Sequence, residues 1–203
     1  MPFTATSADQ GLTTIAADYG YASLHSAYSA TGTNELTGGS PAYARQAITW
    51  GAAAGNAVSS TSIAGAFNVP AGSTVAWVGI WSASSGGTFG GMGPNGATTA
   101  NAYLFSCPTA SPGVFTAPGS AYSNGQTVVI FPGVGSGIPG GFTAGTVYYV
   151  VSAAGATFEL SATSGGAAIN ASSAGSGIVQ IINVESFVAQ GTATLSTETL
   201  SII

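Results

Sequence analysis

Side chains able to carry chemistry are scarce in this chain. His25 is the one histidine, Cys107 the one cysteine and Arg45 the one basic residue; the acids are Asp9, Asp18, Glu35, Glu159, Glu185 and Glu198. A Ser-His-Asp arrangement could be assembled only around His25, and serine is so abundant that a neighbouring hydroxyl is expected by coincidence; no serine lies in a nucleophile-elbow pattern. With no second histidine and no nearby cysteine or carboxylate, His25 has no zinc ligand set and reads as a structural or surface residue. Cys107 cannot form an internal disulfide and reads as a small, unreactive thiol. Glycoside hydrolysis needs two carboxylates facing one bond. The two glutamates closest in sequence, Glu185 and Glu198, fall on separate expected strands, so scattered solvated acids are the simpler reading. Gly135 to Gly140 spells G-x-G-x-x-G after a strand, but Pro139, Gly140 and Gly141 forbid the helix whose N-terminus would hold a phosphate. Asn170-Ala171-Ser172 is a glycosylation sequon without a secretory leader before it. No catalytic, cofactor-binding or metal-binding residue is nominated, and the chain is read as non-enzymatic.

The elements around these residues are organised by the stretch from Gly38 to Ser82, which holds Arg45 and all three tryptophans, Trp50, Trp77 and Trp81. Ala42–Trp50 is expected as a strand entered through Pro41, which fixes its own φ and lacks an N–H. A second strand is expected over Ile63–Val69, stopped by Pro70-Ala71-Gly72-Ser73. Thr74–Ser82 is apolar on both faces and reads as a central strand buried on both sides. The tryptophans are expected in the core, with a ligand-stacking platform as the sharper alternative. Glu35 and Arg45 flank the Gly38–Pro41 turn, and a pair between them is expected.

Composition excludes several classes. The 203 residues carry a formal net charge of −5 with only 3 % charged residues, against roughly 25 % in an average soluble domain. Nucleic-acid binding and polybasic membrane attachment both need clustered Lys or Arg and are excluded. No apolar run is long enough to span a bilayer as a helix, so membrane insertion is not expected. A surface covered by Ser, Thr, Asn, Gly and Ala is prone to association. Together with a mean hydropathy of +0.41, this implies a surface meant to be covered by neighbours, in a protein made in a reducing cytoplasm and used in an assembly.

In chain order, residues 1–11 read as an irregular arm and Leu12–Ala17 as either a helical turn or a strand. Tyr19–Tyr28 alternates as a strand. Gly51–Ser62 and Ala83–Asn101 read as long loops, the second carrying Phe89 and Met92 as partner anchors or gap fillers. From Gly113 the texture becomes β-branched and aromatic with Gly-rich turns: Gln126–Phe131, Thr146–Ser152, Thr157–Ser161 and Gly177–Ile182 are strands. The fold class is all-β: a jelly-roll-like β-sandwich (1–112 plus 184–203) interrupted by a small β-barrel-like or Ig-like module (113–183). Insertion requires the module's ends to lie close together, which places Leu104–Ser106 beside Val184–Val188.

The segments Gly38–Arg45, Trp50, Val69–Gly72 and Val78–Phe89, with Glu35, resemble a family of small virion proteins of actinobacterial tailed phages, of tail-fibre, minor tail or capsid-decoration type. Asn124–Phe131, Leu160–Gly166 and the run from Gly140 to Phe158 resemble a separate β module of phage structural proteins. The resemblance implies a non-enzymatic protein on the outer surface of a virion, assembled in the host cytoplasm. Its implied partners are other virion proteins and further copies of itself, as a homo-oligomer with a trimer favoured. The alternative is an adhesin for host-surface glycan, using Tyr122, Phe142, Tyr148 and Tyr149 exposed on the module.

Overall fold

A computed structural model describes residues 4–201. It opens on a helix, α1 (Ala5–Asp18), which replaces most of the irregular arm expected over 1–11 and takes the helical of the two alternatives left open for Leu12–Ala17. Thr4 caps it by accepting from the Ser7 N–H at 3.2 Å. Thr13 and Thr14 donate back to the carbonyls of Asp9 and Gln10, so these polar residues do not compete for the ladder. The stripe that packs is Ala8, Leu12 and Ala16, spaced by four residues; two of its three members are alanines, so its apolar signal in sequence is faint.

The chain forms two units, one of Met1–Gly93 with Glu185–Ile203 and one of Pro94–Val184. In the first, β1 (Tyr21–His25), β2 (Gln46–Trp50), β3 (Ala57–Ile63), β6 (Trp77–Trp81), β7 (Phe89–Pro94) and β16 (Thr199–Ser201) form an open sheet in the order β16-β3-β2-β1-β6-β7. Two short antiparallel ladders complete this unit: β4 (Phe67–Val69) with β15 (Gly191–Ala193), and β5 (Ser73–Val75) with β14 (Glu185–Phe187). Phe67, Val69 and Val75 of these ladders share one core with Ala22, Leu24, Ile48, Val78 and Ile80 of the sheet, which makes the unit a sandwich.

Several elements differ from the sequence reading. Ile63–Val69 is not one strand: the pairing breaks at Ala64-Gly65-Ala66, and Ala57–Ser62, expected as loop, belongs to a strand running to Ile63 whose inward positions Val58 and Ser60 alternate with exposed Ser59 and Thr61. Thr74–Ser82 is interrupted at Ala76: Ser73–Val75 pairs with β14 while Trp77–Trp81 pairs with β1; Trp77 through Ile80 are buried on both faces, as a central strand requires.

The second unit is a closed antiparallel barrel of β8 (Ala102–Cys107), β9 (Val114–Thr116), β10 (Thr127–Pro132), β11 (Tyr148–Ala154), β12 (Thr157–Ser161) and β13 (Gly175–Ile181), running β10-β11-β12-β9-β8-β13 and back to β10. Alternate residues point inward, as a barrel requires: Phe105 and Cys107, Val128 and Ile130, Tyr148 and Val150, Phe158 and Leu160. Phe115 stacks on Phe158 with ring centroids 5.6 Å apart and meets Phe142 edge-on at 5.0 Å. Gly177 on β13 lies against the Phe131 carbonyl, leaving no room for a side chain.

The second unit begins at Pro94 and its first barrel strand at Ala102, not at Gly113. Tyr103-Leu104-Phe105, assigned from sequence to the sandwich, belongs to β8, which pairs with β13 along its length and with β9 at Ser106. The expected pairing of Leu104–Ser106 with Val184–Val188 is therefore incorrect: Leu104 faces Ile178, and Glu185–Phe187 faces Ser73–Val75. Closure explains the difference, because without β8 the barrel would keep two open edges.

Candidate functional site

His25, Glu35 and Arg45 of the first unit belong to one connected polar network. His25 and Ser23 lie on the same face of β1, two residues apart, and Gly79 faces Ser23 across the ladder with β6. The absence of a side chain at Gly79 makes the room: a Cβ there would sit 2.6 Å from both His25 Nε2 and Ser23 Oγ. His25 Nδ1 is 3.0 Å from the Thr33 carbonyl oxygen, which can only accept, so Nδ1 carries the proton. Nε2 is then the acceptor for the Ser23 hydroxyl at 2.7 Å, and Ser23 Oγ accepts in turn from the Trp81 Nε1–H at 3.0 Å.

A serine hydroxyl bonded to the acceptor nitrogen of a histidine is the geometry of an activated nucleophile. Here both residues have 0 % exposure, and the indole already occupies a lone pair of Ser23 Oγ. A substrate cannot reach this oxygen without opening the sheet. The dyad is a buried polar clamp between β1, β6 and the loop at Thr33. Burial lowers the His25 pKa from its ordinary value, offset in part by the bond to Thr33 and the charge of Glu35.

Arg45 forms the other half of the network. Its Nε and Nη2 donate to Glu35 Oε1 and Oε2 at 2.8 and 2.7 Å, and Nη1 donates to the carbonyls of Ala83 and Gly86 at 2.9 and 2.7 Å. The guanidinium carbon lies 3.6 Å from the centroid of the Trp81 ring. The expected pair is thus present, and with side-chain exposures of 8 % for Arg45 and 17 % for Glu35 it is far from a solvated surface bridge. Tyr43 extends the network, its hydroxyl donating to Glu35 Oε1 and accepting from the Leu24 N–H at 2.7 Å. Trp77 is fully buried, Trp50 donates to the Tyr19 carbonyl and Trp81 is covered by Arg45 and Phe89, so the tryptophans act as core and brace rather than as a stacking platform. Phe89 packs on Trp81 and the Met92 sulfur accepts from the Ser29 N–H, so both fill this unit from within.

The remaining candidates do not assemble. Glu159 stands on β12 of the barrel, whereas Glu185 is exposed on β14 and Glu198 is half-buried before β16 in the first unit. Gly135–Gly140 is a loop with no helix after it, held where Ser136 Oγ bonds the Ser176 hydroxyl at 2.8 Å. Cys107 points into the barrel, and burial raises its thiol pKa. The aromatic groove expected for a glycan is absent from those positions: Tyr122, Phe142 and Tyr148 are 6 %, 8 % and 4 % exposed inside the barrel, and only Tyr149 is partly accessible. The alternation of β11 turns Tyr148 inward, while Tyr122 donates its hydroxyl to the Val179 carbonyl at 3.2 Å. Among the described residues no group of three or more His, Cys, Asp or Glu could hold a metal, and no helix is long and apolar enough to cross a membrane.

Sequence reasoning found the Glu35–Arg45 pair but missed the Trp81–Ser23–His25 chain. The alternation of Tyr21, Ser23 and His25 put two of its members on one face, and Gly79 in an otherwise bulky strand was the signal for a close approach. No protein-family model, curated protein or solved structure matches this chain.

Proposed function

We propose that this is a non-enzymatic structural protein on the outer surface of a tailed-phage virion, serving as capsid decoration or as a minor tail component. The observation that carries the reading is the fate of charge. The single basic side chain is used up inside the first unit by Glu35, Ala83, Gly86 and Trp81. What remains for the surface is thinly spread acid among Ser, Thr, Gly and Ala, which favours coverage by neighbours. The one nucleophile-like dyad, Ser23–His25, is closed to substrate, which supports a structural role. The resemblance of Gly38–Arg45 and Val78–Phe89 to virion proteins points the same way.

In this reading the first unit attaches to the particle as a homo-oligomer, with a trimer favoured, and the barrel is the part offered to the outside. The test is a cryo-electron-microscopy map of particles produced with and without the gene. Density for the first unit against the shell or tail, with the barrel facing solvent, is the expected result. Its absence from purified particles, or a barrel buried against the shell, overturns the proposal. Sedimentation showing a stable monomer at micromolar concentration would remove the oligomer.

A further inference from the structure

The six-stranded sheet of the first unit is open, with β16 at one edge and β7 at the other. Both edges, together with β6 and α1, border one cleft of about 420 Å³, within the roughly 300–1,000 Å³ range of pockets that take small ligands or single side chains. Its wall is apolar: Leu12 and Ile15 from the helix, Val78 and Ile80 from β6, Leu200 from β16, and the glycine-rich backbone of β7. Among the described residues, Glu198 is the one titratable side chain lining it.

Glu198 is held in place by its backbone. Its N–H donates to Ser60 Oγ at 2.9 Å and its carbonyl accepts from the Ser60 N–H at 2.8 Å, which fixes the residue against β3. No hydrogen bond or ion pair among the described residues reaches its carboxylate. Burial against the apolar wall pushes its pKa up to about 7, with no neighbouring charge contributing.

The ionised form of a carboxylate in an apolar cleft is stabilised by a cation carried on an apolar stem, which would also return its pKa toward the ordinary value. That cation cannot be a lysine or arginine of this chain, nor of a second copy, because the chain's single such residue, Arg45, is committed to Glu35. We propose that this cleft binds a lysine or arginine side chain of a different protein, its methylenes against Leu12, Ile15 and Ile80 and its charged head on Glu198. Long basic side chains suit such a site because they lay their stems on apolar surface while the head stays charged. Among the described residues β7 and β16 are the edge strands of the sheet, and both border the cleft. The inference stands whether or not the protein belongs to a virion.

The experiment is a heteronuclear NMR titration of the full chain with Nα-acetyl-lysine N-methylamide, with the norleucine analogue as the neutral isostere and 1,4-diaminobutane as a free amine. The expected result is saturable shifts confined to the amides of Gly90–Gly93 and Thr199–Ser201 with the lysine probe. The norleucine analogue should bind at least about tenfold more weakly, a difference of about 1.4 kcal/mol, and Glu198→Gln should lose lysine binding to the same degree. Equal binding of norleucine, which needs no variant, overturns the proposal. So does undiminished binding to a folded E198Q protein, tighter binding of the diamine than of capped lysine, or no shift at the solubility limit of the lysine probe.

Discussion

Asn95 and Asn183, 88 residues apart, clasp one another: the Asn183 N–H donates to the Asn95 carbonyl at 2.8 Å, and the Asn95 side-chain amide donates to the Asn183 carbonyl at 3.3 Å. The clasp ties together the two ends of the barrel unit, just inside Pro94 and Val184. Short separation of the ends is what lets a domain be inserted into a turn of another at small entropic cost.

A fragment spanning 94–184 is therefore expected to fold alone, with dispersed amide resonances and a Cys107 thiol that reacts only on unfolding, since it is 1 % exposed within the barrel. The shorter fragment 113–183 lacks β8 and leaves β9 and β13 as open edges, so it should aggregate or remain unfolded. Folding of both fragments alike would show that β8 is dispensable for closure.

Breaking the buried pair should be costly. Glu35→Gln leaves Arg45 without its counter-charge at a largely enclosed site, for an expected loss of about 3–5 kcal/mol. Arg45→Lys keeps the charge but loses the fork onto Glu35 and the stacking on Trp81, for about 2 kcal/mol. All three tryptophans lie in the first unit, so urea unfolding followed by tryptophan fluorescence reads this unit separately. Losses below about 1 kcal/mol in both variants would reduce the pair to an ordinary surface bridge.

Gly79→Ala places a methyl group between Ser23 Oγ and His25 Nε2, where there is no space. An overpacking cost of about 1–3 kcal/mol is expected, with loss of the Trp81–Ser23–His25 chain. In the native protein the imidazole should titrate with a midpoint below 6.5, because burial disfavours its charged form. Stability from neutral His25 is then fully present above pH 6.5 and falls as the pH drops toward the depressed folded value. Proton NMR of the ring hydrogens gives the midpoint directly.

Glu198 acts in the opposite sense. Its folded pKa of about 7 lies above the ordinary 4.5, so the folded state holds the proton more tightly than the unfolded chain. The contribution is fully present below about pH 4.5 and is lost as the pH rises to about 7. At about 1.4 kcal/mol per unit, the loss is at most on the order of 3–4 kcal/mol, and less to the extent that solvent screens the half-buried carboxylate. In Glu198→Gln this slope should vanish while the His25 slope remains, and fluorescence-detected unfolding at a series of pH values separates the two. An unchanged slope in E198Q would place the titration elsewhere.

The legible parts of the fold were those where side-chain bulk and alternation agree. Thr157–Ser161 is a strand over the expected residues, and the β-branched runs of the barrel all lie within two residues of their observed bounds. The helix was hidden because Ala8 and Ala16 bury little area, so Leu12 was the one strong member of its stripe. β3 was hidden because its inward positions are Val58 and Ser60, and a buried serine looks in sequence like a loop serine. Membership of β8 in the barrel depends on pairing with Gly175–Gln180, some 70 residues away, and no local pattern encodes a partner at that distance. The site was half legible for the same reason: Glu35 and Arg45 are ten residues apart, whereas Trp81 reaches Ser23 across 58.

The enclosure of Arg45 also makes the chain its own protease sensor. Trypsin cuts after lysine or arginine, so within these 203 residues it has one cleavage point, and that side chain is 8 % exposed with its donors bound to Glu35, Ala83 and Gly86. Cleavage must wait until Arg45 leaves Trp81 and the loop around it opens. The rate at which mass spectrometry sees the chain divide after residue 45 is then a direct clock for local opening of the first unit, readable on the intact protein without a label.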